Sequence, residues 1–226
     1  MDIKHVCSLG NSCHTAYILK RNNIKVVSYP FDWIISNYKI TKHCIEDNFH
    51  IFLDKSYYMS IDDGTKCRHA YYEEDMFYHH NPLMNEKHYE YYVRCVNRFQ
   101  DLLKNPDSKL FITMVTNITE MDETSLEDTN KIKDTNKLQD MKNNMLELNQ
   151  TLSKNTTNYT LLVIFNMVNK ENNYHMFSDY ECVNIHFLEL HTKTESDGIV
   201  FKNMDDNIYL RNIIRNRYNF DIENSS

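Results

Sequence analysis

The chain has 226 residues, 41% hydrophobic and 25% charged, a length and composition that suit one α/β domain with an ordinary core. The formal net charge of -7 gives no generic attraction to nucleic acid, and no apolar run approaches the roughly 20 residues of a membrane span. Met1-Asp-Ile-Lys lacks the basic flank and apolar core of a secretory leader, so a cytoplasmic protein is expected.

Ile3–Leu9 reads as a first strand that ends at Gly10, and Ser12 is placed to cap a helix beginning near Cys13. Ile24–Ser28 reads as a short second strand, broken by Pro30 ahead of Phe31-Asp32-Trp33. Ser36–Asn48 has helical spacing, with Ile40, Cys44 and Ile45 inward. Tyr57–Tyr72 contains Asp62-Asp63-Gly64, a turn signal between two strand-like runs, and begins a Tyr-rich irregular region extending to about Asn85. Glu86–Lys104 is the clearest helix, and Arg94 and Arg98 share one of its faces at i, i+4.

Lys109–Thr116 is apolar on both side-chain parities, as a strand buried on both faces must be. Residues 117–157 are polar and free of Gly and Pro; they are expected to form an insertion whose second half, Lys133–Lys154, is an amphipathic helix. Tyr159–Met167 and Val183–Leu190 are two further strands, with Val168–Tyr180 an exposed connection, and Met204–Tyr218 is a closing helix. This alternation predicts a single α/β domain over 1–226: a mostly parallel open sheet flanked by helices, Rossmann-like or SGNH-like. Ligands of such sheets sit beyond the carboxyl ends of the strands, where Gly10–Cys13 and Asn117 would lie.

The candidate chemistry gathers at that edge. A thiol at a helix N-terminus feels the positive end of the helix dipole, which favours thiolate. Gly10, Asn11 and Ser12 offer donors for an oxyanion. Cys13 is therefore a candidate nucleophile; a small residue packing a strand–helix joint is the other reading. A nucleophile needs a base, and among 11 histidines His69, His79 and His80 are the candidates, with the last two displayed in a loop. Asp32 can orient such a histidine or cap a turn. Trp33, with Tyr29 and Phe31, can form a stacking wall or pack in the core. Arg94 and Arg98 suit a phosphate or carboxylate, or lie on a solvated face. Cys67-Arg68-His69 with His79-His80 fits no closed zinc spacing, so neither metal nor cofactor is expected. The six cysteines include no C-x-x-C pair.

Ser8-Leu-Gly-Asn-Ser-Cys13-His-Thr-Ala16, then Ser28-Tyr-Pro-Phe-Asp-Trp33, then a His-containing segment and Tyr92-Val-Arg-Cys-Val-Asn-Arg98-Phe99, together resemble the DUF1796 proteins over roughly Lys4 to Thr116. That family is labelled papain-like cysteine peptidases and occurs in bacteria, often beside surface-polysaccharide genes, and in giant DNA viruses of amoebae. The resemblance implies a cysteine-dependent hydrolase or acyltransferase with Cys13 as nucleophile and His69, His79 or His80 as base. With the Asn-, Lys- and Ile-rich composition it also implies a viral member, acting in host cytoplasm or virus factory. The papain label implies a long cysteine-bearing helix against an antiparallel barrel half, where the periodicity here predicts a parallel sheet. Gly10-Asn-Ser-Cys13 is also similar to the GSCFA and SGNH-hydrolase-like proteins, although no His follows His191 to supply a closing Asp-x-x-His. The alternative is a non-catalytic binding module in which Trp33, Arg94, Arg98 and Asn117 hold a nucleotide, RNA end, glycan or sugar-phosphate. Residues 117–157 would then serve as an arm for a protein partner.

Overall fold

The computed structural model describes residues 2–119, 129–168 and 175–222. In chain order the elements are β1 (Asp2–Ile3), β2 (His5–Ser8), α1 (Cys13–Arg21), α2 (Tyr38–Glu46), α3 (His50–Leu53), β3 (Tyr58–Ile61), β4 (Lys66–His69) and β5 (Glu74–Phe77). They continue with α4 (Glu86–Lys104), β6 (Lys109–Thr119), α5 (Thr129–Asn155), β7 (Tyr159–Val168), β8 (Met176–Cys182), β9 (Ile185–Thr192), α6 (Met204–Arg217) and β10 (Asn219–Phe220).

The main sheet has the order β2-β6-β7-β9-β8. Its first four strands run parallel, with Val6 opposite Leu110, Leu110 opposite Thr160 and Leu162 opposite His186. β8 folds back antiparallel on β9 and forms one edge. β7, Tyr-Thr-Leu-Leu-Val-Ile-Phe-Asn-Met-Val, is buried along its whole length. Its apolar residues serve both faces, which is why the run shows no alternation.

Helices cover each face. On one side Ile18 and Leu19 of α1 and Leu210 and Ile214 of α6 pack on Ile112, Leu162, Ile164 and Leu188. On the other, α2, α4 and α5 pack on Phe111, Leu161, Val163, Phe165 and Phe187. The expectation of a mostly parallel sheet between helices holds, and the antiparallel-barrel arrangement implied by the papain label is not what this chain adopts.

A small antiparallel sheet, β3-β4-β5, fills the interval between α3 and α4. Its first hairpin turns at Asp62-Asp63-Gly64, all three with positive φ. The aromatic side of the core lies beneath it. Phe31, Phe49, Phe52, Phe77, Tyr92 and Phe99 contact one another edge-on or tilted, with centroids 4.9–6.5 Å apart among the pairs in contact. Phe31 is therefore a core residue, and Tyr29 is buried beside it.

Two segment expectations are corrected. Ile24–Ser28 is not a strand, because the Lys25 ammonium reaches Val27 O at 2.6 Å, Ser28 Oγ at 3.2 Å and the buried Asp32 carboxylate at 2.5 Å. The backbone wraps around this ion pair and has no sheet neighbour. The connection expected over Val168–Tyr180 holds most of β8, every residue of which is exposed. Residues 120–128 and 169–174, read from sequence as loop, lie outside the described residues.

Candidate functional site

The turn after β2 is built from backbone that few residues accept. Gly10 and Asn11 both have φ near +80°. At Gly10 a Cβ would stand 2.3 Å from Ser36 Oγ, so the position excludes any side chain. Gly10 N–H donates to Ser8 Oγ at 3.1 Å, and Asn11 N–H to Ser36 Oγ at 3.2 Å. The Asn11 side-chain amide donates to Met114 O of β6 at 3.1 Å. The backbone amides of Gly10 and Asn11, two expected oxyanion donors, are thus engaged in holding the turn.

Ser12 does sit at the N-cap of α1, but its side chain makes no cap hydrogen bond. Its Oγ is buried with no partner. Among the described residues no side chain from outside α1 accepts from its first-turn amides, and Cys13 is the first residue of that helix. A buried hydroxyl and uncapped helix amides beside a thiol form a site able to receive an oxyanion.

Cys13 is 6% exposed. Burial pushes its thiol pKa above the ordinary value, the Asp32 carboxylate pushes it further, and its own backbone amide opposes them. Asp32 itself accepts from Lys25 Nζ and, at 2.9 Å, from Tyr29 N–H, and it touches no histidine. Its carboxyl is raised by burial and lowered by Lys25. At rest Cys13 is a thiol.

The histidine candidates separate. His69 Nε2–H donates to Ile51 O at 3.1 Å, and the ring packs between Tyr57 and Tyr72, which fixes it inside the small sheet. His80 packs against His88 at 5.0 Å and Tyr91 at 4.6 Å, and burial with these neighbouring histidines lowers its pKa. His79 is exposed and stands edge-on to the indole of Trp33 at 6.4 Å. The backbone brings this loop toward the thiol's turn in steps. Ser36 N–H donates to Asn11 O at 3.4 Å, and Ile35 N–H donates to Met76 O at 3.1 Å, one residue before β5 ends. No histidine hydrogen-bonds the Cys13 thiol among the described residues.

The arginines do not meet Cys13 as a pair. Arg94 is exposed and pairs with Glu90 at 3.9 Å. Arg98 donates to Ser28 O at 3.1 Å and lines a concavity of about 670 Å³ with His5, Tyr29 and Val26. His5 begins β2, so this concavity lies at the amino ends of the strands, opposite the Cys13 turn. Asn117 does lie at the carboxyl edge, at a bulge in β6 with φ of 60°. Its amide side chain donates to Ser196 O at 2.8 Å and accepts from Ser196 N–H at 2.7 Å.

That contact belongs to a buried network missed at the level of sequence. Asn166 accepts from Asn117 N–H at 3.2 Å and donates to Thr192 Oγ1 at 2.8 Å. Ser196 Oγ lies 2.8 Å from His14 Nδ1, and His14, fully buried, has its pKa lowered to about 4 by burial. Asp206, also fully buried, accepts from His175 Nε2–H at 2.6 Å, from Lys193 N–H at 3.0 Å and from both the amide and hydroxyl of Thr194. The one signal in the sequence is the polar Asn166 inside the apolar run of β7, since a buried amide must find partners. Among the described residues no three side chains of the metal-ligating types come together.

A family model described as "putative papain-like cysteine peptidase (DUF1796)" matches residues 4–165. The chain belongs to the DUF1796 family. The matched span of this DUF1796 chain runs through α5 and most of β7, well past Thr116. It takes in Cys13, Asp32, Trp33, His69, His79, His80, both arginines and Asn117, and the membership supports a cysteine hydrolase in general. No curated protein and no solved structure matches the chain. Among the described residues no helix is long and apolar enough to cross a membrane.

Proposed function

We propose that this DUF1796 chain is a cysteine-dependent hydrolase or acyltransferase with Cys13 as nucleophile and His79 as base. The observation that carries the reading is the uncapped start of α1, where the Cys13 thiol adjoins a buried, unpartnered Ser12 hydroxyl. Because the resting group is a thiol, the base removes its proton as the sulfur attacks the acyl carbon. The new oxyanion accepts from the first-turn amides and from Ser12. The leaving group departs with the proton from His79, leaving a thioester. Water then releases the acid, or a second nucleophile takes the acyl group. His79 is preferred to His69 because its ring is exposed beside Trp33, whereas His69 Nε2 is held by Ile51 O.

The reading extends to a small-molecule, glycan or nucleotide-like acyl substrate, a cytoplasmic setting and a protein partner engaging residues 117–157. The raised pKa of Cys13 favours one alternative, a binding module that uses the same pocket without chemistry. Intact-mass measurement after exposure to a panel of activated acyl esters separates the two. Catalysis predicts one acyl group on the parent, none on Cys13→Ala and slower loading of His79→Ala. Equal loading of the parent and Cys13→Ala removes the catalytic reading. Iodoacetamide labelling of Cys13 should accelerate with rising pH beyond the ordinary thiol range, since its pKa is displaced upward.

A further inference from the structure

At the amino ends of the strands, away from Cys13, Arg21, Asn23, Arg211, Asn212 and Arg215 line a concavity of about 320 Å³. Many surface cations described elsewhere in this acidic chain have found carboxylates, such as Lys42 with Glu147, Lys55 with Glu86, Arg68 with Asp75 and Arg217 with Asp179 and Glu181, and those that have not, such as Lys20, Lys39 and Lys87, line no shared concavity with a second cation. Among the described residues Arg21, Arg211 and Arg215 pair with none. The lining holds no carboxylate and no apolar side chain. It presents three guanidinium groups, which have donors and no acceptor, together with two amides.

Two of these arginines are held in place. Arg215 Nε–H donates to Asn22 Oδ1 at 3.4 Å and its Nη2 to Asn22 O, while Asn22 itself is buried and donates to Ile18 O at 2.8 Å. The Arg21 guanidinium lies over the Tyr17 ring at 5.6 Å. Compensation of helix dipoles accounts for cations in the last turn of a helix, and so for Arg21 and Arg215. It does not account for Arg211, six residues before α6 ends at Arg217, nor for the convergence of all three on one concavity.

We propose that this concavity is a binding site for a phosphate-bearing anion. Three guanidinium forks can take the oxygens of a phosphate or diphosphate in paired hydrogen bonds. The volume suits a small group at the lower end of ligand-site sizes. The phosphate can be free or carried on a nucleoside, and the site is independent of any chemistry at Cys13.

Isothermal titration of the full chain with pyrophosphate, ATP and adenosine tests the site at low ionic strength. The expected result is saturable binding of one pyrophosphate or one ATP, with adenosine inert. Tighter binding of ATP than of pyrophosphate identifies the nucleotide as the source, and equal affinity identifies the free anion. Arg21→Ala and Arg211→Ala, whose side chains make no hydrogen bond among the described residues, should each weaken binding about tenfold or more. Lys202→Ala, remote from the site and paired with Glu195, should leave it unchanged. If an alanine variant melts early, Arg211→Lys keeps the charge, loses the fork and should still weaken binding. No saturable binding of either phosphate compound, or an affinity unmoved in the arginine variants, overturns the proposal.

Discussion

The two ends of the parallel sheet treat their polar groups in opposite ways. At the carboxyl end nearly every donor and acceptor has a partner within the chain: Gly10 and Asn11 on Ser8, Ser36 and Met114, Asn117 on Ser196, Asn166 on Thr192. What stays uncommitted there is small: the Ser12 hydroxyl, His14 Nε2, the first amides of α1 and the Cys13 thiol. At the amino end three guanidinium groups converge with no carboxylate among the described residues. The number of polar residues at an edge therefore says little about function. The groups left without partners are the informative ones, because a buried or pre-set polar group lacking a partner costs stability unless something occupies it.

The largest effect that can break this comparison is on rate. Cys13→Ala should lower acyl-group loading at least ~10³-fold while the Arg211→Ala variant loads normally, measured by intact mass over time. If both lose activity, the two ends are not independent.

Next comes Gly10→Ala. The new methyl meets Ser36 Oγ at 2.3 Å in a left-handed backbone, so a loss of roughly 3–4 kcal/mol is expected in urea unfolding. A loss below ~1 kcal/mol would mean that the turn is not rigid.

The third prediction concerns acid. Folded His14 has a pKa of about 4, below its ordinary 6.5, so the folded state binds fewer protons than the unfolded one between those values. Its contribution is complete above pH 6.5 and is lost as pH falls toward 4, amounting to roughly 3 kcal/mol. Urea midpoints at pH 7, 5.5 and 4 for the parent and His14→Gln measure it, and parallel curves for the two chains would discard it.

The smallest effect is the most pointed. Ser12→Ala removes a buried hydroxyl that has no hydrogen-bond partner, so stability should rise, by about 1 kcal/mol. Acyl loading should nevertheless fall about tenfold if the hydroxyl receives the oxyanion.

Much of the fold was legible because local pattern and tertiary burial agreed. Glu86–Lys104 carried its helical stripe over its full length, and Lys109–Thr116 and Tyr159–Met167 announced burial on both faces. β8 was not legible because all seven of its residues are exposed, so neither face selects for apolar side chains. Ile24–Ser28 looked like a strand because the ion pair that bends it, Lys25 with Asp32, involves a residue beyond the segment. At the site, the position of the Gly10–Cys13 turn could be read from sequence. The commitments of its amides could not, since Ser36 and Met114 lie 25 and 103 residues away from Asn11. The different surroundings of His69 and His79 were hidden because they depend on the small sheet, which encloses one ring and leaves the other beside Trp33.

β2 is only four residues long and takes the outer position of the main sheet, bonded to β6 alone. The turn that carries Cys13 is therefore a cantilever, supported on one flank where an inner strand would give two. Its second support is the Ser36 hydroxyl, delivered by the loop that also holds Trp33. A molecule pressing on the indole thus pushes on the same beam that sets the position of the sulfur. The stiffness of the Cys13 mount is in this way a property of the 31–36 loop as much as of the sheet.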